Sequence, residues 1–288
     1  WTVDLAVLYQ LTGDEKKAEG YLKKAISLYK RLDDDGREAQ CYENLADLYS
    51  FLNHLDDAIR ILERALRIYT QNKDHQAIAD SYERLGILHT KQGQFSPAVE
   101  SFQKALRKND KIGNVDKQIV NFINLGNLYL VVRQYEKAEG TYTLGLAIAD
   151  TGSDPRSKAQ LYKQLGQLYY QKGQAGQTVL MARKRLEIAD QIGDALMSAE
   201  VYSEMAQAYQ AIGQMGQAIA MYETSLRLYE RLKKPTETAK IYGSLGAVYN
   251  DIGKPEKAIS MQNKALEIAI RLDLKDLVSR RYGNLGTS

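Results

Sequence analysis

Leu5, Leu45, Leu85, Leu125, Leu165, Met205, Leu245 and Leu285 recur every forty residues along the whole chain, with no insertion or deletion between them. A register of that kind restricts the fold to a stack of like units, each touching only its neighbours, so function is sought on a surface built by stacking rather than in one pocket. The columns beside the leucines supply the chemistry of the unit. Three residues earlier stands a ring (Tyr42, Tyr82, Phe122, Tyr162, Tyr202, Tyr242, Tyr282), and four residues later another (Tyr9, Tyr49, His89, Tyr129, Tyr169, Tyr209, Tyr249). One residue after the leucine the side chain is always Gly or Ala, from Ala6 to Gly286.

Offsets of three and four place ring, leucine and ring on one face of a helix, helix A, spanning roughly residues 38–51 in the second unit. A turn follows at Gly13, Asn53, Gly93, Arg133, Gly173, Gly213 and Gly253. Glycine and asparagine suit the left-handed backbone that ends a helix, and Arg133 is the poor fit. Helix B then carries Ala18, Ala58, Ala98, Ala138, Thr178, Ala218 and Ala258, with Pro97 and Pro255 in first turns, where a missing N–H matters little. Small residues on both helices mark the place where the two axes cross closely. The expected fold class is all-α, an α-α superhelix (solenoid) of antiparallel helix pairs.

The string aromatic, leucine, small residue, tyrosine, then alanine and alanine-leucine resembles the tetratricopeptide repeat family over the whole chain. The resemblance implies a single array over 1–288 with a right-handed superhelical course. Its units are a partial repeat 1–36, full repeats 37–76, 77–116, 117–156, 157–196, 197–236 and 237–276, and a partial repeat 277–288. Thr151-Gly152-Ser153-Asp154-Pro155 keeps the register and reads as a loop, not a linker. Within the family, forty-residue units look most like the Pins/LGN polarity adaptors, whose Asn-Leu-Gly-Asn string occurs here at Asn124-Leu125-Gly126-Asn127.

Composition narrows the partner. Thirty-nine basic and 36 acidic residues, mixed along the chain, give a net charge of +3, which argues against general nucleic-acid binding. No apolar run is long enough for membrane insertion. The single cysteine, Cys41, suits a reducing, cytoplasmic compartment. No arrangement of His54, His75 and His89 has metal-ligand spacing, Cys41 reads as an inert thiol, and His89 reads as a packed residue. The glycine pairs at Gly173/Gly176 and Gly213/Gly216 lack the strand and Gly-Lys-Ser/Thr of a phosphate loop. No enzyme activity and no cofactor are expected.

The resemblance also implies that A helices line a concave groove. Its expected partner-contacting residues here are Asn44, Asp47, Arg84, Asn124, Asn127, Lys163, Gln164, Gln167, Glu204, Lys240, Arg280 and Asn284. The column one before the leucine, from Asp4 to Asn284, is polar throughout and rich in amides, which can hold an extended peptide backbone. Glu43, Asp47, Asp80 and Glu83 against Arg84 make the early groove acidic, while Val120, Ile123 and Leu130 make its middle more apolar. No three successive units supply the lysines, asparagines and arginine of a carboxylate clamp. The expected function is a scaffold binding an extended or partly helical segment of a protein or peptide. The alternative is a sensing array that controls a fused effector domain, and self-association is possible.

One unit breaks its own pattern. Thr178 replaces the crossing alanine, Ala182 stands in the column of Leu22, Leu62, Phe102, Tyr142 and Tyr222, and Arg185 stands in the column of Ala65 and Ala105. Such losses of core bulk typically cost about 2 to 5 kcal/mol, so the fifth helix B is expected to be soft; the alternative is ordinary drift, with Arg185 reaching out to water.

Overall fold

The computed structural model describes residues 14–152 and 154–274, so the columns at Leu5 and Leu285, together with Asp4, Arg280 and Asn284, lie outside the described residues. The chain divides into two compact units, residues 1–153 and 154–288, at the Thr151–Pro155 loop. In the first, α1 (Glu15–Arg31) is followed by α2 (Asp35–Phe51), α3 (Leu55–Gln71), α4 (His75–Lys91), α5 (Phe95–Ile112), α6 (Val115–Val131) and α7 (Tyr135–Ala149). The second holds α8 (Pro155–Gln171), α9 (Ala175–Ile192), α10 (Ala195–Ala211), α11 (Met215–Arg231), α12 (Pro235–Asp251) and α13 (Pro255–Arg271). From α2 onward A and B helices alternate, and among the described residues no strand occurs.

Capping differs between the two kinds of helix. Most A helices are opened by a short acceptor side chain: Asp34, Asp74, Asn114 and Asp194 each accept from the backbone N–H three residues on, and Asp154 accepts from Arg156, two on. The B helices from α3 on have no such cap. A left-handed residue precedes them, at Asn53, Gly93, Arg133, Gly173, Gly213 and Gly253, as Asp33, Lys73, Gly113, Gly193 and Lys233 precede A helices. Arg133 therefore does take the conformation its side chain disfavours, at φ 58°. The cost of roughly 1–2 kcal/mol is met by the turn's bonds, Arg133 N–H to Leu130 O at 3.0 Å and Gln134 N–H to Tyr129 O at 2.8 Å.

Packing within the pairs follows the columns, with one revision. The leucine column is buried from Leu45 to Leu245, and so is the column three residues later, Leu48, Leu88, Leu128, Leu168, Ala208 and Val248. Among the rings of both aromatic columns only Tyr49 is buried; the others described are half-buried. Lysines lie over several of them, Lys104 over Tyr82, Lys184 over Tyr162 and Lys264 over Tyr242, at 5.4–5.5 Å.

The crossing itself is a ring laid on a glycine. A Cβ added at Gly86 would fall 2.6 Å from the Phe102 ring, and one at Gly126 would fall 2.3 Å from the Tyr142 ring. Ala206 and fully buried Tyr222 belong to one core cluster, and Ala46 and Leu62 to another. Gly126→Ala therefore overpacks the crossing and should lower stability by about 1 to 3 kcal/mol. Gly140→Ala, on the exposed side of α7 with nothing within 4 Å, should raise it by about 0.5 to 1 kcal/mol. Urea unfolding of the two variants checks the pair.

Candidate partner-binding face

In the first unit the A helices are tied edge to edge by charge. Arg84 on α4 reaches both carboxylate oxygens of Asp47 on α2, at 2.9 and 3.0 Å. Lys117 on α6 reaches back to Asp80 at 2.9 Å and Glu83 at 3.5 Å on α4. Asn121 adds a bond to Glu83 at 3.4 Å. Burial works against the Lys117 ammonium, but Asp80 and Glu83 win and hold its pKa above the ordinary lysine value. The acidic zone legible in the sequence is thus about half neutralised internally, by Arg84 and Lys117 against Glu43, Asp47, Asp80 and Glu83. Lys117 was missed because it lies two helical turns before the leucine, outside the columns that face the groove in the family.

Asp80, Glu83, Arg84 and Lys117 border a cleft of about 450 Å³ that Glu43 and Tyr69 also line. Glu43 is only 7% exposed. Burial pushes its carboxyl pKa up; Arg84 opposes this, and Asp47 and Asp80 reinforce it. Between α4 and α6 a second cleft, of about 230 Å³, is lined by Ile87, Asn124, Asn127 and Val131. The Tyr142 hydroxyl donates to Asn127 Oδ1 at 2.6 Å and so fixes that amide with its N–H₂ group turned away from the ring. Asn124 is half-buried beside it.

The second unit is arranged differently. Arg185, on helix B α9, is 4% exposed and does not reach water. Its two terminal nitrogens donate to Glu204 Oε1 at 2.7 Å and Glu200 Oε2 at 2.6 Å, both on α10. Lys163 on α8 lies 3.7 Å from Glu200. The alternative of an Arg185 reaching water fails because Glu200 and Glu204, one repeat later, pair with it, and a paired guanidinium is tolerated where a lone one is not.

The sequence-derived positions fall into several groups. Asp47 and Arg84 pair across α2 and α4, Asn124 and Asn127 line the cleft between α4 and α6, and Asn44 is half-buried on α2. Lys163, Gln167 and Glu204 meet around one cavity in the second unit. Gln164 is buried, at 8% exposure, unlike the half-exposed residues of its column. Lys240 is exposed on α12. Arg280 and Asn284 lie outside the described residues.

Cys41 is buried and its thiol is pushed up to about 11, by burial first and by Asp34 and Glu38 next. His89 Nδ1 lies 2.8 Å from Gln94 Oε1, and His75 opens α4. Among the described residues no helix is long and apolar enough to cross a membrane.

Glu43 gives a signed pH test. An acid whose folded pKa is raised loses stability as pH rises from its unfolded value, about 4.3, through the folded one, because the native state then holds the more expensive charge. Glu43→Gln should therefore raise the melting temperature near neutral pH, with the gain vanishing in acid where both forms are uncharged. Thermal melts across pH check this.

Comparison with known proteins agrees with the geometry. A search of the curated proteins finds no match. The signal transduction ATPase (STAND) protein of Pyrococcus horikoshii, which carries a tetratricopeptide repeat sensor, superimposes with a TM-score of 0.73 at 21% identity, over 97% of this chain. The chain spans 44% of that protein. Aspartyl phosphate phosphatase F from Bacillus subtilis matches with a TM-score of 0.64 at 14% identity, over 93% of this chain and 69% of the other. The apo form of RapI gives 0.61 at 14%, over 94% and 97%. At such identities the likeness is one of fold, the all-α solenoid of helix pairs. The tetratricopeptide repeat family model matches residues 1–71, 55–109 and 197–271. Since those segments make up more than half of the sequence, and the described helices alternate as A and B throughout, the chain belongs to the tetratricopeptide repeat family.

Proposed function

We propose that this chain is a non-catalytic interaction array that holds an extended or partly helical segment of a partner protein against its A helices. The observation that carries the reading is the half-buried amide pair Asn124 and Asn127, with Asn127 fixed by Tyr142, beside a cleft walled by Ile87 and Val131. Oriented amides offer donors and acceptors to a peptide backbone, and apolar walls accept alternate side chains. Asn44, Asp47 and Arg84 extend the face in the first unit, and Lys163, Gln164, Gln167, Glu204 and Lys240 do so in the second. Arg280 and Asn284 continue the same columns.

Because Arg84 and Lys117 cancel much of the acidic zone, affinity rests more on amides and shape than on attraction for a basic ligand. The mixed charge of +3 supports protein over nucleic acid as partner, and the lone Cys41 supports a cytoplasmic site of action. The forty-residue spacing and the Asn124–Asn127 string support kinship with the Pins/LGN adaptors. A second reading, a sensing array that controls a fused effector, is favoured by the likeness to the repeat sensor of the larger Pyrococcus protein.

Affinity capture with the intact array, followed by peptide mapping, identifies the segment. Asn124→Ala with Asn127→Ala should then weaken its binding by about tenfold or more, the worth of a hydrogen bond or two. Tyr142→Phe controls for the lost internal bond. Unchanged affinity in the double variant would place the partner elsewhere.

A further inference from the structure

The fifth repeat keeps the glycine of the crossing but lacks the ring that belongs on it. In the column of Phe102, Tyr142 and Tyr222 stands Ala182, and a Cβ built at Gly166 meets nothing nearer than Met181 Cβ at 3.7 Å. Gly86 and Gly126, by contrast, are pressed by rings to within 2.6 and 2.3 Å. The space this leaves is continuous with a cavity of about 380 Å³ that opens between α8, α9 and α10. Its walls include Tyr162, Gly166, Gln167, Tyr170, Ala182 and Arg185.

We propose that this cavity receives the side chain of a tyrosine carried by the bound partner segment, which supplies in trans the ring that the fourth and sixth repeats supply in cis. The proposal rests on the reading of the A-helix face as the partner's seat and names one anchor in it. Two features choose a phenol. Tyr142 donates its hydroxyl to Asn127, and the residue forty positions on from Asn127 is Gln167, on the rim of this cavity; a phenol lying as Tyr142 does therefore has an amide acceptor at its hydroxyl. The charges around the cavity are mutually satisfied, Arg185 by Glu200 and Glu204 and Lys163 by Glu200. An anionic group would find no uncommitted cation there, whereas a neutral ring meets aromatic walls and a neutralised guanidinium, both good neighbours for its face.

The probe is p-cresol, the side chain of tyrosine, added to the whole chain and followed by amide NMR. Saturable shifts confined to residues around Gly166, Gln167, Tyr170 and Ala182 are expected, with toluene binding about tenfold more weakly for want of the hydroxyl. Ala182→Tyr fills the cradle from within and should abolish the shifts while raising the melting temperature; Ala182→Phe, a second filling, should do the same. No saturable shift in the wild-type chain overturns the proposal, as does unaltered p-cresol binding in a folded Ala182→Tyr or Ala182→Phe variant. Equal binding of toluene overturns the assignment of the hydroxyl to Gln167. These readouts lie in the second unit and need no partner, so their failure is distinguishable from failure at Asn124 and Asn127.

Discussion

The close crossing of helix A over helix B, a side chain from B laid on a glycine or alanine of A, is the contact on which the other features depend. It brings the two axes near enough to bury the leucine column and its companion three residues later on helix A. It recurs in each unit on the forty-residue register, at Gly86 and Gly126 in the first and Gly246 in the second. Gln262 shows how strongly the position demands filling: there the side chain on Gly246 is polar, yet it is 1% exposed and donates to Gly243 O at 3.2 Å.

What the crossing leaves over is a row of A-helix flanks, and charge settles on them in two ways. In the first unit the ties run from A helix to A helix, Arg84 to Asp47 and Lys117 to Asp80. In the second, Arg185 comes from a B helix and is buried beneath Glu200 and Glu204. Removing a buried partner of this kind leaves the others unmet, whereas exposed pairs contribute little. The departures of the fifth repeat are therefore connected: the missing ring opens space, and Arg185, which lines that space, is made tolerable by carboxylates one repeat further on.

Much of this was legible in the sequence, because the features that specify the stack are local and periodic. The leucine register, the small residue after it, the turn positions and the alternation of helices all follow from offsets within one unit. The anomaly at Thr178, Ala182 and Arg185 was visible too, but only as a loss. Its consequence needed neighbours: Glu200 and Glu204 belong to the next unit, and nothing in the column of Arg185 points to them. Lys117 was missed for a similar reason, since it pairs across to Asp80 and Glu83, more than thirty residues earlier. Offsets of three and four put the aromatic columns on one face with the leucines, yet most of their rings are half-buried; the period places a ring on that face without saying how far in it sits. Arg133 shows the reverse, a residue that obeys the turn against its own preference.

The central claim is that the ring on the glycine is a separable part, so that its absence leaves a formed cradle rather than a collapsed core. The most direct measurement is a crystal structure of Tyr142→Ala grown with p-cresol. The account predicts unshifted α6 and α7 with a p-cresol ring over Gly126, its hydroxyl at Asn127. Closure of α7 onto α6 with no space left for a ring would contradict it.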